Sequence, residues 1–360
     1  MTIAAGQSMI IGTYTEKLAH VDGKAPGILG AKYRDGKVSD VTVLAEVRNP
    51  SWLVLSADGR NLYSVAETVE FEGEPGGGVV AFSRDPVSGD LTLLNTAPSG
   101  GVEPAYVGID PSGSFVIVAN YRNGTLAVYS LGEGGRLGEM VDHVRHAGSS
   151  VHPVRQTGPH AHQVLFDPLT GYALVPDLGV DAVVVYELTP SGRLVERKSD
   201  RFSVHPGAGP RHLAFHPGGQ YLFLVDELTN DVVLLRRAKE SRFEQVQVIS
   251  TLPSSFDGHS QAAAIRVSAT GELVFASNRG LHSIAVLSFD PGEGRLSFEA
   301  VEPSRGSEPR DFVLSPDGSQ LLVANQDSST IEVFSVDETA RQLQPVSSAE
   351  VPTPVCLLFA

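Results

Sequence analysis

The feature that most restricts this chain is a pattern that returns along its length: an apolar run, a turn built on Pro or Asp with Gly, a second apolar run, and a small or polar residue that closes it. The copies read PSWLVLSADGRNLYSVAE from Pro50, PAYVGIDPSGSFVIVANY from Pro104, AHQVLFDPLTGYALVPDL from Ala161, PRHLAFHPGGQYLFLVDE from Pro210, AAAIRVSATGELVFASNR from Ala262 and PRDFVLSPDGSQLLVANQ from Pro309. Anchored on the turn residues Ala57, Pro111, Pro168, Pro217, Ala269 and Pro316, successive copies lie 54, 57, 49, 52 and 47 residues apart. Each copy reads as a β-hairpin, because apolar or alternating runs flank a turn whose Gly can take a positive φ.

A third strand follows most copies, as in GTLAVYSL, DAVVVYEL, DVVLLRR, SIAVLSF and TIEVFSV, and a more polar fourth follows that, as in RLVERKSD and RLSFEA. Helical periodicity is nearly absent. Units of four short strands at this spacing predict an all-β fold, a seven-bladed β-propeller of four-stranded antiparallel blades around a central channel. A β-solenoid would have a shorter repeat and no complementary half-units at its ends. Here TPVCLLFA offers one strand in the register of Pro210 and Pro309, while SMIIGTYT and GILGAKYR lack a first strand. The C-terminal strand is therefore expected to join the N-terminal strands in a seventh blade, closing the ring and removing free edges. Residues 1–360 are expected to form one domain without a linker.

In such a ring the first strand of each blade lines the channel, and the start of strand one lies at the same end as the close of strand two. The residues after the anchoring Pro, or its equivalent, are Ser51, Ala105, His162, Arg211, Ala263, Arg310 and Val355, and those after strand two are Glu67, Tyr121, Leu178, Glu227, Arg279 and Gln326. Both columns should converge on one mouth. His162, Arg211, Glu227, Arg279 and Arg310 are poor choices for blade packing, and guanidinium groups beside a carboxylate and an imidazole suit an anionic ligand. Other readings remain for the same residues. His160 and His162, two apart on a strand and so on one side, make either a metal pair or two hydrogen-bonded channel residues, and no third ligand stands at telling spacing. Arg211 and Glu227 make either part of a reacting site or a structural ion pair. His212 and His216 are given mainly structural roles. The glycines of EGEPGGGVVAF read as a loop between strands, and those of PGAGPRH as a turn able to offer amide donors to a ligand anion. Neither precedes a helix, and no nucleophile elbow or H-E-x-x-H motif is present.

A net charge of −15 without a basic run argues against nucleic-acid binding, which needs a field of Lys and Arg. Cys356 is the only cysteine, which excludes an internal disulfide and a cysteine-built metal site. No run approaches the length of a membrane span, and the opening residues lack a basic start followed by an apolar stretch, so a cytoplasmic protein is expected.

GPHAHQ at 158–163, DLGVD at 177–181, PGAGPRHLAFHPGGQYLFLVDEL at 206–228, SNRGLHSIAV at 277–286 and PRDFVLSPDG at 309–318 resemble the seven-bladed lactonase family, which includes propeller-type 6-phosphogluconolactonases and fungal carboxy-cis,cis-muconate cyclases. The resemblance covers essentially the whole chain. Its specific part is the ordered set H-A-H-Q, G-P-R-H, an E-L whose Glu lies sixteen residues after that Arg, and S-N-R-G. It implies catalytic residues at His162, with His160 as the competing choice, Arg211, Glu227 and Arg279, and an activity without metal or other cofactor. His160, Arg310, Glu67 and His212 are assigned to the substrate-binding surround. Ala263 lacks the polar contact that relatives place in its blade.

The resulting expectation is a sugar-lactone hydrolase acting on a small anionic lactone, foremost 6-phosphogluconolactone of the oxidative pentose phosphate pathway. His162 would serve as general base, Glu227 would orient the water or relay a proton, and Arg211 and Arg279 would hold the anion and the oxyanion. A lactonizing cyclase with the same residues and a non-catalytic scaffold are the rivals.

Overall fold

The computed structural model describes residues 6–360, so the first five residues of the expected 1–360 domain lie outside the described part. Seven antiparallel sheets form the blades of a propeller, six of four strands and one, blade three, with its outer strand divided into two short pieces. Blades one to six are numbered by the copies from Pro50 to Pro309. Blade seven takes its innermost strand, Pro354–Phe359, from the C-terminal part of the chain, and Gln7–Thr13, Ile28–Arg34 and Lys37–Ala45 from the N-terminal part. The expected closure is present, with Ile11 opposite Leu357 and Ile10 opposite Leu358. Among the described residues the only helical pieces are two 3-10 turns, Glu133–Gly135 and Leu178–Val180.

The unbroken apolar runs have a simple cause. Side chains along a strand alternate between faces, and the middle strands are sandwiched between two neighbouring blades, so both faces need apolar residues. In Tyr221–Asp226, Leu222 and Leu224 pack against blade three, whereas Phe223 and Val225 pack against blade five. Every adjacent pair of blades shares such a core, including the pair that spans the closure. The hairpin turns behave as their glycines require: Gly59, Gly113, Gly171, Gly219, Gly271 and Gly318 all have φ between 68° and 83°, where a Cβ would be strained.

Two expectations about strands are corrected. RLVERKSD does not form a continuous fourth strand: Leu194–Glu196 is a strand, then the Arg197–Asp200 ion pair (2.6 Å) folds the chain into a turn before Phe202–Ser203 pairs again. The inner strand of blade three is also interrupted. Ala161 makes an isolated bridge to Asp177, and regular pairing resumes only at Leu165–Phe166.

The inner strands share one irregularity at the mouth. Pro104 pairs with Asn120 and Tyr106 with Ala119, leaving Ala105 bulged. The same extra residue is Arg211 in blade four, Arg310 in blade six and Val355 in blade seven. In blade five Ala263 and Ala264 stand against Ser277, and in blade three the extra residue falls between Ala161 and Leu165. A bulge re-aims the side chain it adds. Outside blade one, whose regular pairing begins only at Leu53, the first column of the repeat is thus a ring of bulged residues turned into the channel.

Candidate active site

At this end of the channel a cavity of about 240 Å³ is lined by His20, Glu67, Glu103, Ala105, Tyr121, Arg155, His162, Arg211, Glu227, Gln261, Arg279 and Arg310. The two columns therefore do converge. A narrower recess beneath it shares Glu67, Ala105, His162, Arg211 and Arg310 and adds Ser51, Trp52 and Val355. Trp52 stacks on Tyr106 with ring centroids 4.5 Å apart, and the His212 ring meets both edge-on, so aromatic rings pack the channel below the site.

Glu227 is the hub. Its carboxylate lies 2.5 Å from Arg155 Nη2, 3.1 Å from Arg211 Nε and 3.1 Å from Arg279 Nη2. The contact with Arg211 Nε lacks hydrogen-bond alignment and is a charge contact, while Arg211 Nη1 donates to Ala263 O at 2.6 Å. Arg279 Nη2 also donates to Ala262 O. Burial alone would raise the Glu227 pKa, but Arg279, Arg155 and Arg211 together outweigh it and hold the carboxyl well below its usual range. Burial, and then Arg279, bring Arg211 down to about 9, so it stays charged at neutral pH.

His162 is buried at the edge of this cluster, edge-on to Tyr121 and to His212. Its Nδ1 makes no hydrogen bond within the described chain. Burial first, and Arg211 next, keep its pKa well below the ordinary imidazole value, so it is neutral near pH 7. Across the cavity, Tyr14 Oη donates to the Glu67 carboxylate (2.9 Å) and accepts from Arg310 Nη2 (2.9 Å), and Ser51 Oγ also donates to Glu67.

The structure separates the other predicted residues. His160 does not line the cavity: its ring stacks behind Tyr121 at 4.7 Å and its Nδ1 donates to Tyr121 O at 2.8 Å. The pairing is regular at Ala161 and the extra residue falls after it, so the irregularity re-aims His162 and leaves His160 against Tyr121. His212 is buried below the cavity among Trp52, Tyr106 and His162. The amides of PGAGPRH are not offered to a ligand either: Gly207 N and Gly209 N donate to Asp181 at 2.7 and 2.8 Å. Asp177 similarly accepts from His160 N and Gly179 N and pairs with His146 Nδ1 at 2.6 Å. DLGVD is thus a brace that fixes the loops carrying His162 and Arg211.

Several residues at the site escape a reading by columns. Tyr14, buried behind the lining between Glu67 and Arg310, follows strand two of the split blade and occupies the second column there, so extending the alignment across the closure finds it. Arg155 comes from the loop between blades two and three, and His20 from the tip of a small hairpin, Lys17–Leu18 with Val21–Asp22. Neither carries a repeat signal. Arg155 is placed by its neighbour Gln156, which is fully buried and donates to Leu178 O and Asp181 Oδ1.

Comparison with known proteins adds an independent line. Residues 8–359 match the model of a family described as lactonase, 7-bladed beta-propeller. The chain is 35% identical over 353 residues to a 6-phosphogluconolactonase of Bacillus subtilis, covering 97% of each protein, and 31% identical over 342 residues to one of Formosa agariphila, covering 93% of this chain and 94% of that one. Among solved structures it resembles the periplasmic gluconolactonase of Pseudomonas aeruginosa (TM-score 0.90, 32% identity, 98% of both chains). It also resembles a putative 6-phosphogluconolactonase of Bacteroides fragilis (TM-score 0.89, 31% identity, 100% of this chain and 99% of that one).

Proposed function

The chain belongs to the seven-bladed β-propeller lactonase family, and from that premise we propose that it hydrolyses a sugar lactone, foremost 6-phosphogluconolactone in the oxidative pentose phosphate pathway, at the Glu227 cluster. The observation that carries the reading is a neutral, buried His162 beside three guanidinium groups gathered on one carboxylate, above a channel packed with aromatic rings. Burial of this kind strengthens each charge that meets the substrate.

In this mechanism His162 takes a proton from water as the water oxygen attacks the lactone carbonyl. Charge then develops on the carbonyl oxygen, where Arg211 and Arg279 face it without rearranging, because Glu227 and the carbonyls of Ala262 and Ala263 already hold them. Collapse breaks the bond to the ring oxygen, which recovers a proton from the His162 imidazolium, leaving a free hydroxyl and a carboxylic acid that gives up its own proton to solvent to become the carboxylate. Glu227 orients this machinery as a permanent anion; a carboxyl held so far below its usual range does not relay protons near neutrality. Glu67 and Arg310, tied together by the buried Tyr14 hydroxyl, face the sugar hydroxyls from the opposite wall. No metal takes part in these steps. We place the enzyme in the cytoplasm on its single, buried Cys356; cell fractionation tests this.

The test is the hydrolysis of 6-phosphogluconolactone generated in situ, above the spontaneous rate and with EDTA present. The wild type should accelerate it strongly, and Arg211→Ala should lose about a hundredfold or more in turnover while remaining folded. A well-folded wild type that gives no acceleration removes this substrate; turnover of a muconate instead would mark the chain as a cyclase.

A further inference from the structure

We propose that Arg155 is the phosphate-recognising residue of this pocket, so that the chain prefers lactones bearing a dianionic phosphoryl arm to their unphosphorylated counterparts. The inference rests on the lactonase reading and deepens it.

The pocket has two levels. His162, Arg211 and Arg310 border both the cavity and the recess beneath it, whereas Arg155, Arg279, Tyr121 and His20 border the upper cavity alone. A lactone that presents its carbonyl to His162 and Arg211 lies ring-down, and its exocyclic arm rises toward Arg155. The charge is uneven in the same sense. Glu67 balances Arg310 across the shared Tyr14 hydroxyl. Glu103 pairs with Arg122 at 3.0 Å. Glu227 alone faces Arg155, Arg211 and Arg279, so that cluster keeps two positive charges in excess, the complement of a phosphate dianion.

Among these arginines Arg155 is the one open to a ligand. Its side chain is 29% exposed, against 3% for Arg211 and 11% for Arg279. Both of its internal bonds, to Glu227 and to Tyr121 Oη, use Nη2. Nη1 and Nε donate to no other described residue, which leaves most of a planar fork for phosphate oxygens. It is also the one brought in by a loop between blades, held from behind by Gln156. Anion recognition at this point is therefore separable from the strands that carry His162, Arg211 and Arg279.

The experiment compares 6-phosphogluconolactone with glucono-δ-lactone on wild type, Arg155→Gln and Arg155→Lys, with melting curves to confirm folding. Arg155→Gln should lower kcat/KM for the phosphorylated substrate about 10- to 100-fold, chiefly through KM, and lower that for the unphosphorylated one much less. Arg155→Lys, which keeps charge without the fork, should fall between. Competitive inhibition by 6-phosphogluconate, but not by gluconate, should weaken in parallel, a readout that survives even if turnover is slow. An equal loss on both lactones, with inhibition by 6-phosphogluconate unchanged, overturns the assignment and leaves Arg155 a support for Glu227. A wild type that hydrolyses neither lactone overturns the lactonase reading itself, and the proposal with it.

Discussion

Replacing Glu227 by Gln tests whether the site is built around one buried anion. The side chain keeps its shape and loses its charge, leaving Arg155, Arg211 and Arg279 facing a neutral amide. Two of these guanidinium groups are almost wholly enclosed, and Arg211 is already lowered to about 9 by burial and by Arg279. Removing one partner of a buried pair costs about 3–5 kcal/mol, since the remaining charge has no compensation. At about 1.3 °C per kcal/mol for a chain of this size, the melting temperature should fall by roughly 4–7 °C. Activity should fall by about 100-fold or more, because the guanidinium groups lose the geometry in which they meet the oxyanion. Thermal melts followed by circular dichroism, and initial rates from base uptake corrected for spontaneous hydrolysis, measure both. A melting temperature within about 1 °C of wild type and turnover within about threefold would refute the reasoning. Glu227→Asp keeps the charge but shortens the reach, and should recover more stability than rate.

His162 is neutral because burial and Arg211 hold its pKa well below 6.5, so the acid limb of kcat/KM should lie well below pH 6.5, with activity lost only as pH falls through that lowered value. His162→Gln should abolish this limb and cost about 10²- to 10⁴-fold in rate with little change in melting temperature; a wild-type limb at or above 6.5 contradicts the assignment. Asp226 is completely buried, and neither carboxylate oxygen has a hydrogen-bond partner among the described residues; burial raises its pKa well above the usual value. Between the unfolded and folded pKa values the native state holds the extra proton, so this group lowers stability as pH rises. Asp226→Asn should therefore raise the melting temperature near pH 8, with the gain shrinking toward pH 4; an unchanged melt at both pH values counts against it.

Much of the fold was legible because the physics repeats. A strand packed on both faces must be apolar throughout, and a hairpin turn with positive φ calls for Gly, so each blade declares itself. Asn120, Asn278 and Asn325, which close strand two in blades two, five and six, donate to Ser99 O, Thr251 O and Ser304 O, latching each blade to its predecessor. That is why a polar residue ends the pattern. The columns also located His162, Arg211 and Arg310, which stand where the inner strands of their blades gain an extra residue, and Glu227 and Arg279, which follow strand two at the same end. What the sequence hid depends on distant partners. Arg155 sits in a loop with no period, and Gln156 reaching Leu178 and Asp181 helps to put it over the cavity. His160 looked equivalent to His162, but the extra residue after Ala161 re-aims only His162, and the His160 ring stacks on Tyr121 instead. The glycines of PGAGPRH looked free for an anion, but the anion they bind is Asp181.

The ring of bulges has a consequence for how such a protein changes over time. The ladder is satisfied whatever side chain the bulged residue carries, so these positions act as interchangeable sockets on a common mount. Two of them, Ala105 and Val355, hold apolar groups at the brink of a cavity otherwise crowded with charge. A single codon change at such a socket adds or withdraws a contact to the ligand and asks nothing new of the blades behind it. New substrate preferences can then be sampled one socket at a time, on a framework that does not have to be reinvented.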